Sequence, residues 1–380
     1  MHRGRIQRRL IIRAEPIMRL AEFYNATRNA RKIILVDLGF LGDAIHTIPA
    51  CWELHRHYPD AELHTVFAPV GAEVLALVPC VHRSWAWPRT RSLKDWRSDL
   101  RRWRELRQQH FDLALNFSGA DRPLLITGFS GAPWRVAYPG DRRHIWARWL
   151  IPRWMSRQPR NQPVFEQRRR ALAECGFSLA APQFGLRVPD EALAAAARWV
   201  PPNAVHVSIS ASGPLKEWPL PHWISFARAV LTEFPDWRIV ATGAATEREQ
   251  TRLREFAAGV HHPRLVQVPP GGSVALLAAI LSGCRLHVGA DSGALHLAAA
   301  LGVPCLAFFR DYEGTIEWAP TGSRHRILKR PCPCDINRYR QPVPACGFAG
   351  PARCLADISV TEALEAFRAV LRESAATTPG

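Results

Sequence analysis

Residues 32–46 read KIILVDLGFLGDAIH, and this stretch decides the fold class. Its first five residues are mostly apolar, which is typical of a strand that is buried on both faces of a parallel sheet. Gly39 and Gly42 permit a tight loop, after which a helix is predicted from about Asp43 to Tyr58. The next apolar run, Leu63–Phe67, completes a strand–helix–strand unit. This order predicts a parallel α/β domain.

The same alternation continues on both sides of a proline-rich segment. Further strands are predicted at Phe111–Phe117 and Trp134–Ala137, and a short Ala-rich helix is predicted at Glu191–Trp199. A second series begins with a strand at Val205–Ser210 and ends with a helix over about 361–373. The predicted organisation is a basic N-terminal extension (1–31), a first domain (32–185), a linker (186–203), a second domain (204–360), and a C-terminal helix and tail (361–380).

Residues 288–304, VGADSGALHLAAALGVP, form the strongest motif of the second domain. A strand ends in a loop of small residues and a helix follows at once, so Asp291 or Ser292 can cap that helix. Gly293 lets another backbone approach closely, and the free N–H groups of the helix start attract an anion such as a diphosphate. His296 lies one turn further on. A capped helix without a ligand has the same local sequence, so the functional interpretation depends on the other motifs.

The loop after the first strand of the second domain contains residues 208–219, SISASGPLKEWP. Ser210, Ser212 and Lys216 can donate to phosphate oxygens. The chain has only four Lys among its 50 basic residues, and a compact ammonium suits a phosphate as a point charge. The alternative is a solvated loop lysine.

Asp43 has two interpretations. It can cap its helix, or it can act as a general base that faces the cleft and takes a proton from an acceptor hydroxyl. The N–H groups of the helix start favour its ionised form in either case. Gly42 and His46 are candidate acceptor-side residues, and His46 alone is equally compatible with a structural role.

Basic residues are concentrated in the first half of the chain. The first 200 residues hold 32 Lys or Arg and 18 Asp or Glu, whereas the remaining 180 hold 18 and 15. This asymmetry suggests that the first domain meets a polyanion, and a basic surface set by Arg-rich composition is the alternative. Trp and Arg are interleaved in residues 85–107 and 134–170, which suits an anionic membrane interface or nucleic acid.

We expect neither a transmembrane helix nor a secretory signal. A spanning helix needs about 20 largely apolar residues, and the best candidate, Leu286–Phe309, includes Asp291 and two histidines. Arg13 interrupts the only early apolar run. Residues 1–31 are expected to be a basic arm that rests on a membrane or, with Met18 as the true start, an untranslated extension.

The nine cysteines fall into two groups. Five are scattered among apolar neighbours and are predicted to be buried thiols of a reducing cytoplasm: Cys51, Cys80, Cys175, Cys284 and Cys305. Four late ones follow a C-x-C-x11-C-x7-C pattern: Cys332, Cys334, Cys346 and Cys354. Four thiolates can bind zinc or iron, but the first spacing is tighter than that of usual zinc sites. Reduced thiols are therefore the default prediction, and a metal cluster is the alternative.

Three segments together resemble glycosyltransferase family 9, which includes the lipopolysaccharide heptosyltransferases. They are GFLGDAIHTIPA at 39–50, the serine–lysine segment at 208–219 and GADSGALHLAAALGVP at 289–304, in the family's order and spacing. The resemblance covers roughly residues 32–361. It implies an α/β fold of the GT-B type, in which two Rossmann-like domains face a central cleft and the second domain mainly binds the donor.

The resemblance also implies the reaction and the site. The family's activity here is the inverting transfer of a heptose from ADP-heptose to the lipopolysaccharide inner core. Asp43 matches the proposed catalytic base, while Ser212 and Lys216 match residues near the donor phosphates. The donor loop is matched by Asp291, Ser292, Gly293 and His296.

Two segments depart from the family pattern. The first acidic residue after the turn at 243–246 is Glu247, two positions later than in some members, so it is our candidate for the nucleoside contact. The segment 308–315, FFRDYEGT, lacks the small-residue run that is common in the family. The pocket near this segment is therefore expected to differ.

The implied partners follow from this chemistry. We expect a nucleotide-sugar donor, an acidic lipopolysaccharide-precursor acceptor and peripheral contact with an anionic membrane, with no obligatory cofactor or metal and no nucleic acid. The expected location is cytoplasmic, on the inner face of the bacterial inner membrane. Two alternatives remain open: a transferase of the same fold that uses another nucleotide sugar, and a basic binding protein without catalysis. The presence of Asp43, Lys216 and Asp291 argues against the second.

Overall fold

The computed structural model describes residues 19–89, 96–140, 145–311, 314–331 and 352–376, and its strands form two parallel sheets. The strands of the first sheet are β1 (Lys32–Val36), β2 (Glu62–Phe67), β3 (Arg83–Ala86), β4 (Leu113–Asn116), β5 (Trp134–Ala137) and β6 (Arg153–Trp154). Those of the second are β7 (Ala204–Ser208), β8 (Arg238–Ala241), β9 (Leu265–Gln267), β10 (Leu286–Ala290), β11 (Cys305–Asp311) and β12 (His325–Pro331). The orders are β3-β2-β1-β4-β5-β6 and β12-β11-β10-β7-β8-β9.

Helices connect and cover these strands. They are α1 (Phe23–Thr27), α2 (Leu41–His57), α3 (Pro69–Leu75), α4 (Trp96–Arg107), α5 (Asp121–Phe129), α6 (Ile145–Leu150), α7 (Val164–Glu174), α8 (Asp190–Ala196), α9 (Leu220–Glu233), α10 (Glu247–Val260), α11 (Val274–Gly283), α12 (Gly293–Ala300), α13 (Thr315–Trp318), α14 (Arg353–Ala356) and α15 (Val360–Ala376). Short 3-10 helices lie at Leu20–Glu22 and Pro214–Lys216. None of the helices in the described ranges is long and apolar enough to span a bilayer.

The predicted alternation of strands and helices is confirmed, with small shifts at element ends. The helix predicted to start at Asp43 begins at Leu41, because Phe40 has the extended backbone of an N-cap residue and Asp43 lies in the first turn. From residue 19 onward, the predicted extension packs on the first sheet: Phe23 is fully buried and the backbone N–H of Tyr24 donates to Cys175 at 2.9 Å. The domain boundaries given above stay predictions.

Apolar packing joins the two halves of the chain. The helix α2 contacts α12, and α3 contacts α11. Buried side chains from both halves belong to one continuous cluster, which includes Ile45 of α2 and Leu295 of α12. The loops at the carboxyl ends of β1 and β10 therefore lie beside this interface.

The scattered cysteines are mostly buried, as predicted. Cys51, Cys175, Cys284 and Cys305 are buried free thiols, whereas Cys80 is half-buried. Burial raises the pKa of Cys284 to about 12, so this thiol is neutral and unreactive at physiological pH. Of the late group, Cys354 is buried in α14, and the other three lie outside the described residues.

Two buried histidines face each other at the centre of the second sheet. His206 of β7 and His287 of β10 are paired in the strand register, and their Nδ1 atoms are 2.8 Å apart. Burial lowers the pKa of His206 to about 3. Burial and the neighbouring imidazoles lower the pKa of His287 well below its ordinary value. Both rings are therefore neutral in the folded protein.

The folded protein is expected to lose stability as the pH falls below about 6.5. The unfolded chain protonates these two histidines near their ordinary pKa, whereas the folded protein does not, so the unfolded state binds more protons. The loss approaches about 1.4 kcal/mol per pH unit for each such histidine. Urea midpoints measured from about pH 7.5 to about pH 5 test this, and His206→Gln is expected to flatten the dependence. Equal wild-type midpoints across that range would contradict it.

Candidate active site

Asp43 lies in the first turn of α2, shortly after the carboxyl end of β1. Its Oδ2 accepts a hydrogen bond from the backbone N–H of Phe40 at 2.8 Å, so the carboxylate stabilises the helix start. The side chain is nevertheless 27% exposed, which leaves oxygen surface available to a substrate. The capping interaction is confirmed, and the role as a base stays a prediction.

A buried guanidinium holds this turn in place. Arg168 of α7 donates to Oδ2 of Asp37 at 2.7 Å, and its other amino group donates to the hydroxyl of Thr47 and to the backbone carbonyl of Asp43. It also lies 3.7 Å from Oδ1 of Asp43. The second oxygen of Asp37 accepts from the N–H of Gly39 at 2.8 Å. One cation therefore fixes the strand end, the loop and the helix start.

The pKa of the buried Asp37 is raised in this arrangement. Burial and the nearby charge of Asp43 raise its pKa, the guanidinium of Arg168 lowers it, and the net result is a pKa of about 6. Neither residue was singled out from the sequence. Arg168 lies within the run Arg168–Arg170, whose three members look alike in sequence, and it is 125 residues away from Asp43.

An ion pair joins the serine–lysine segment at 208–219 to the predicted donor loop. Nζ of Lys216 lies 2.5 Å from Oδ2 of Asp291, and Nε2 of His296 lies 3.4 Å from Oδ1 of the same carboxylate. Burial alone would raise the pKa of Asp291, but the hydrogen bond from His296 and the charge of Lys216 hold it well below its ordinary value. Asp291 is therefore a fixed negative charge under Lys216.

A contact between two imidazoles extends these side-chain contacts into the first half of the protein. Nε2 of His46 lies 3.3 Å from Nδ1 of His296. Burial and the neighbouring charges of His296 and Arg168 lower the pKa of His46 well below its ordinary value. The chain Lys216–Asp291–His296–His46 thus joins the predicted donor loop to α2.

The starts of α2 and α12 lie against each other with no room for added side chains. A Cβ on Gly42 would lie 2.9 Å from Cδ2 of His296, and one on Gly293 would lie 2.7 Å from Cδ2 of Leu41. Gly293 was predicted to let another backbone approach, but its close neighbour is the side chain of Leu41. Gly42 was predicted to lie in the loop, but it lies in the first turn of α2. Two helix N-termini and the ammonium of Lys216 converge on this region, which favours a bound anion.

Two serine hydroxyls near this point have no hydrogen-bond partner among the described residues. Oγ of Ser210 and Oγ of Ser292 are both buried and unpaired. The prediction that Asp291 or Ser292 caps α12 is wrong: Ser292 occupies the N-cap position, but its side chain makes no capping bond, and Asp291 binds Lys216 and His296 instead. The helix start therefore keeps its N–H groups free for a ligand.

A buried carboxylate that the sequence analysis missed orders the serine–lysine loop. Glu217 accepts from the backbone N–H of Ala211 at 3.0 Å and pairs with Arg248 at 2.5 Å. Ser212 is exposed in the loop that this contact closes. Glu247 lies in the first turn of α10 with a side chain that is 86% exposed, and it pairs with Arg254 at 3.0 Å. The nucleoside contact proposed for Glu247 stays a prediction.

A second polar link joins the two halves next to the histidines. Arg160 donates to Oε1 and Oε2 of Glu317 at 3.0 and 2.7 Å, and Gln167 donates to the same carboxylate at 3.1 Å. The ring of Trp318 then contacts the ring of His46, with centroids 5.2 Å apart. This link holds α13 of the second half against the segment before α7.

Within the described parts of the chain, one set of side chains has the spacing of a metal site: Glu62, His64 and His82. Its hydrogen bonds work against a metal. The indole N–H of Trp85 donates to Nδ1 of His64 at 3.1 Å, so the ring proton is on Nε2, which faces Glu62 at 3.4 Å. Lys32 already neutralises Glu62 at 3.2 Å. This set lies at the amino ends of the strands, away from Asp43.

Comparison with known proteins gives consistent matches. Residues 100–343 match the sequence model of glycosyltransferase family 9 (heptosyltransferase). Lipopolysaccharide heptosyltransferase 1 of Pseudomonas aeruginosa is 28% identical over 295 residues, which are 73% of this chain and 78% of that protein. Lipopolysaccharide core heptosyltransferase OpsX of Haemophilus influenzae is 20% identical over 304 residues, which are 80% and 85% of the two chains.

The fold is shared with solved structures. The structure of E. coli ADP-heptose lps heptosyltransferase II aligns with a TM-score of 0.72 and 18% identity, over 90% of this chain and 99% of that chain. The two six-stranded parallel sheets confirm the predicted fold class, α/β with two Rossmann-like domains of the GT-B type.

Proposed function

Because the chain belongs to glycosyltransferase family 9, we propose that it transfers a heptose from ADP-heptose to the inner core of a lipopolysaccharide precursor, with inversion at the anomeric carbon. The chain is a glycosyltransferase, and its relatives from P. aeruginosa and H. influenzae carry lipopolysaccharide heptosyltransferase names. The observation that carries the proposal is the series of side-chain contacts Lys216–Asp291–His296–His46. These contacts bring the predicted donor loop against the helix that holds Asp43.

Asp43 supplies the general base in this proposal. Its carboxylate accepts the proton of the acceptor hydroxyl while that oxygen attacks the anomeric carbon of the donor. The bond from the anomeric carbon to the diphosphate oxygen breaks on the opposite face, which inverts the configuration. Arg168 keeps the turn of Asp43 in one position, so that little reorganisation is required when the acceptor binds.

The second half of the site stabilises the leaving group. The departing ADP gains negative charge on its diphosphate, and groups that are already in place stabilise that charge at low reorganisation cost. Lys216, the unpaired hydroxyls of Ser210 and Ser292, and the N–H groups at the start of α12 are such groups. Asp291 orients Lys216 through the contact of its Oδ2 with Nζ.

The proposed acceptor also places the enzyme at a membrane. A lipopolysaccharide precursor is an acidic glycolipid, and the basic first half of the chain has the charge to meet it. We accordingly propose a peripheral association with the cytoplasmic face of the bacterial inner membrane. No metal or cofactor and no nucleic acid is required by this mechanism.

Turnover with a panel of nucleotide sugars tests the proposed donor. Purified protein is incubated with a heptose-free lipopolysaccharide precursor and with ADP-heptose or with hexoses linked to UDP, GDP or ADP. We expect product with ADP-heptose, because the family and both curated relatives are heptosyltransferases. Product with another donor and none with ADP-heptose would contradict the proposal and would identify that other nucleotide sugar as the donor.

Lysine variants provide the matched control for the donor site. Lys216→Met is expected to raise the Kd for ADP by about 10- to 100-fold, because it removes a charge-assisted contact to the diphosphate. Lys329→Met removes an equally charged side chain that pairs with Asp311 at 3.0 Å on β12, and we expect it to leave ADP affinity unchanged. Calorimetric titration of both variants with ADP makes the comparison, and equal affinities would contradict the assignment of Lys216.

A further inference from the structure

The two most exposed large apolar side chains of the described structure lie on one short helix. Ile145 of α6 is 79% exposed and Trp149 is 84% exposed. They are four residues apart, so they stand on the same face of the helix. Leaving a Trp and an Ile this open to water is unfavourable, and contiguous apolar exposure of this kind marks an interaction surface.

The neighbouring helices extend this apolar surface. Gly128 of α5 contacts Leu150 of α6 closely, since a Cβ on Gly128 would lie 2.7 Å from the Cβ of Leu150. The next residue, Phe129, is exposed, and its ring contacts Trp103 of α4 at 5.7 Å between centroids. Leu100 of α4 is exposed as well. Four of the eight exposed large apolar side chains in the described structure thus lie on the α4–α5–α6 surface, defined here as the exposed residues of these three helices.

The same surface is strongly basic. The three helices contain seven Arg and no Lys against three Asp or Glu. Arg101, Arg104 and Arg107 of α4 are exposed, as is Arg148 between the two apolar residues of α6. Apolar side chains that enter the headgroup region, surrounded by cations, are the features that bind an anionic bilayer. Tryptophan in particular favours the boundary between headgroups and acyl chains.

We propose that the α4–α5–α6 surface docks on the anionic lipid bilayer, with Ile145 and Trp149 inserted among the headgroups. The occupant is a bilayer because a second copy of this chain would bring an equally basic surface against this one, which is electrostatically unfavourable. Nucleic acid would meet the arginines but would leave Ile145 and Leu100 without an apolar environment. This inference rests on the proposed function, because it names the surface by which the enzyme approaches its membrane-anchored acceptor.

The topology places this surface at the rim of the site. Nε of Arg135, near the start of β5, donates to the carbonyl of Leu150 at 2.7 Å, so α6 ends beside the amino end of that strand. The helix therefore runs antiparallel to the strands, and Ile145 lies toward their carboxyl ends. The loop that contains Asp43 follows β1 at this same edge of the sheet. An acceptor anchored in a bilayer under α6 would have its sugars on the side of Asp43.

Vesicle flotation with the full-length protein tests the surface. Wild-type protein is mixed with vesicles of phosphatidylcholine alone or with added phosphatidylglycerol. We expect the protein to float with the anionic vesicles, and the double variant Ile145→Ser/Trp149→Ser to bind them about tenfold or more weakly. Arg101→Gln/Arg104→Gln should reduce binding to anionic vesicles and leave the weak binding to neutral ones unchanged.

Matched controls separate the possible outcomes. Leu193→Ser removes an exposed apolar side chain from α8, remote from this surface, and should bind vesicles like wild type. Thermal midpoint and ADP affinity of the double variant should also equal those of wild type, which shows that it is folded. Failure of wild type to float, or equal flotation of the double variant, would overturn the proposal. So would a double variant whose only change is dissociation of an oligomer in sedimentation velocity, since the surface would then join copies of the chain.

Flotation is independent of turnover. If no heptose is transferred but flotation depends on Ile145 and Trp149, the docking surface stands and the proposed donor or acceptor is wrong. If the proposed function holds, the double variant should lose activity on the vesicle-embedded acceptor and keep it on a deacylated, water-soluble one. Equal loss on both acceptors would contradict the proposal that this surface acts through the membrane.

Discussion

Asp43→Asn is expected to lower the transfer rate by roughly 10²- to 10⁴-fold, the range that removal of a general base usually produces. The amide cannot take up the proton of the acceptor hydroxyl at neutral pH. Its oxygen can still accept the hydrogen bond from the N–H of Phe40, so the start of α2 should persist. Initial rates at saturating donor and acceptor measure the effect, and the Kd for ADP should stay within about threefold of wild type.

Asp190→Asn is the matched control for this change. Asp190 is also a first-turn carboxylate, but it belongs to α8, which lies between the two sheets in sequence. It is not among the side chains that link Lys216 to His46. The same change of charge at this position should leave the rate unchanged. If Asp43→Asn keeps more than about a tenth of the wild-type rate, another group is the base.

Arg168→Ala is expected to destabilise the folded protein by about 3–5 kcal/mol, because it leaves the buried carboxylate of Asp37 without its cation. The hydroxyl of Thr47 loses its donor at the same time, while the carbonyl of Asp43 keeps the hydrogen bond from that hydroxyl at 2.9 Å. Urea unfolding measures the change. Asp37→Asn in the same background should restore part of the loss, because it removes the uncompensated charge, and a double-mutant cycle gives the coupling between the two groups.

The neighbouring arginine provides the control for that experiment. Arg170 lies on the same helix, its side chain is 55% exposed, and its nearest acid, Glu166, is 3.6 Å away. An exposed pair of this kind contributes little, so Arg170→Ala should cost less than about 0.5 kcal/mol. Similar losses for Arg168→Ala and Arg170→Ala would show that burial of the guanidinium does not determine its contribution.

Local sequence was sufficient to predict the buried strands and most of the helices. Runs such as KIILV at 32–36 are apolar over their whole length because both faces of a central parallel strand are covered. The edge strands β3, β6 and β12 were not predicted. Their sequences, RSWA, RW and HRILKRP, mix charged and apolar residues, because an edge strand is only partly covered.

The site was predictable where a motif lies next to a strand end, and not where the partner is distant in sequence. Asp43, Lys216 and Asp291 stand in recognisable loops, and the structure brings Lys216 and Asp291 into contact. Arg168 and Glu217 were missed because their importance comes from which buried groups they reach, a property of the tertiary fold. The capping role expected of Ser292 or Asp291 was wrong because Lys216 and His296, from other parts of the chain, bind Asp291 more favourably.

The order of the first sheet also bears on how the chain folds during synthesis. β1 pairs on one side with β2, which follows within about 30 residues, but on its other side with β4, which the ribosome adds about 80 residues later. At typical elongation rates this interval is on the order of ten seconds. Throughout it, the apolar strand β1 presents an edge of unpaired backbone N–H and C=O groups to other nascent chains. The yield of folded protein in the host should therefore depend on the rate of translation and on chaperone capacity more than on the final stability of the sheet.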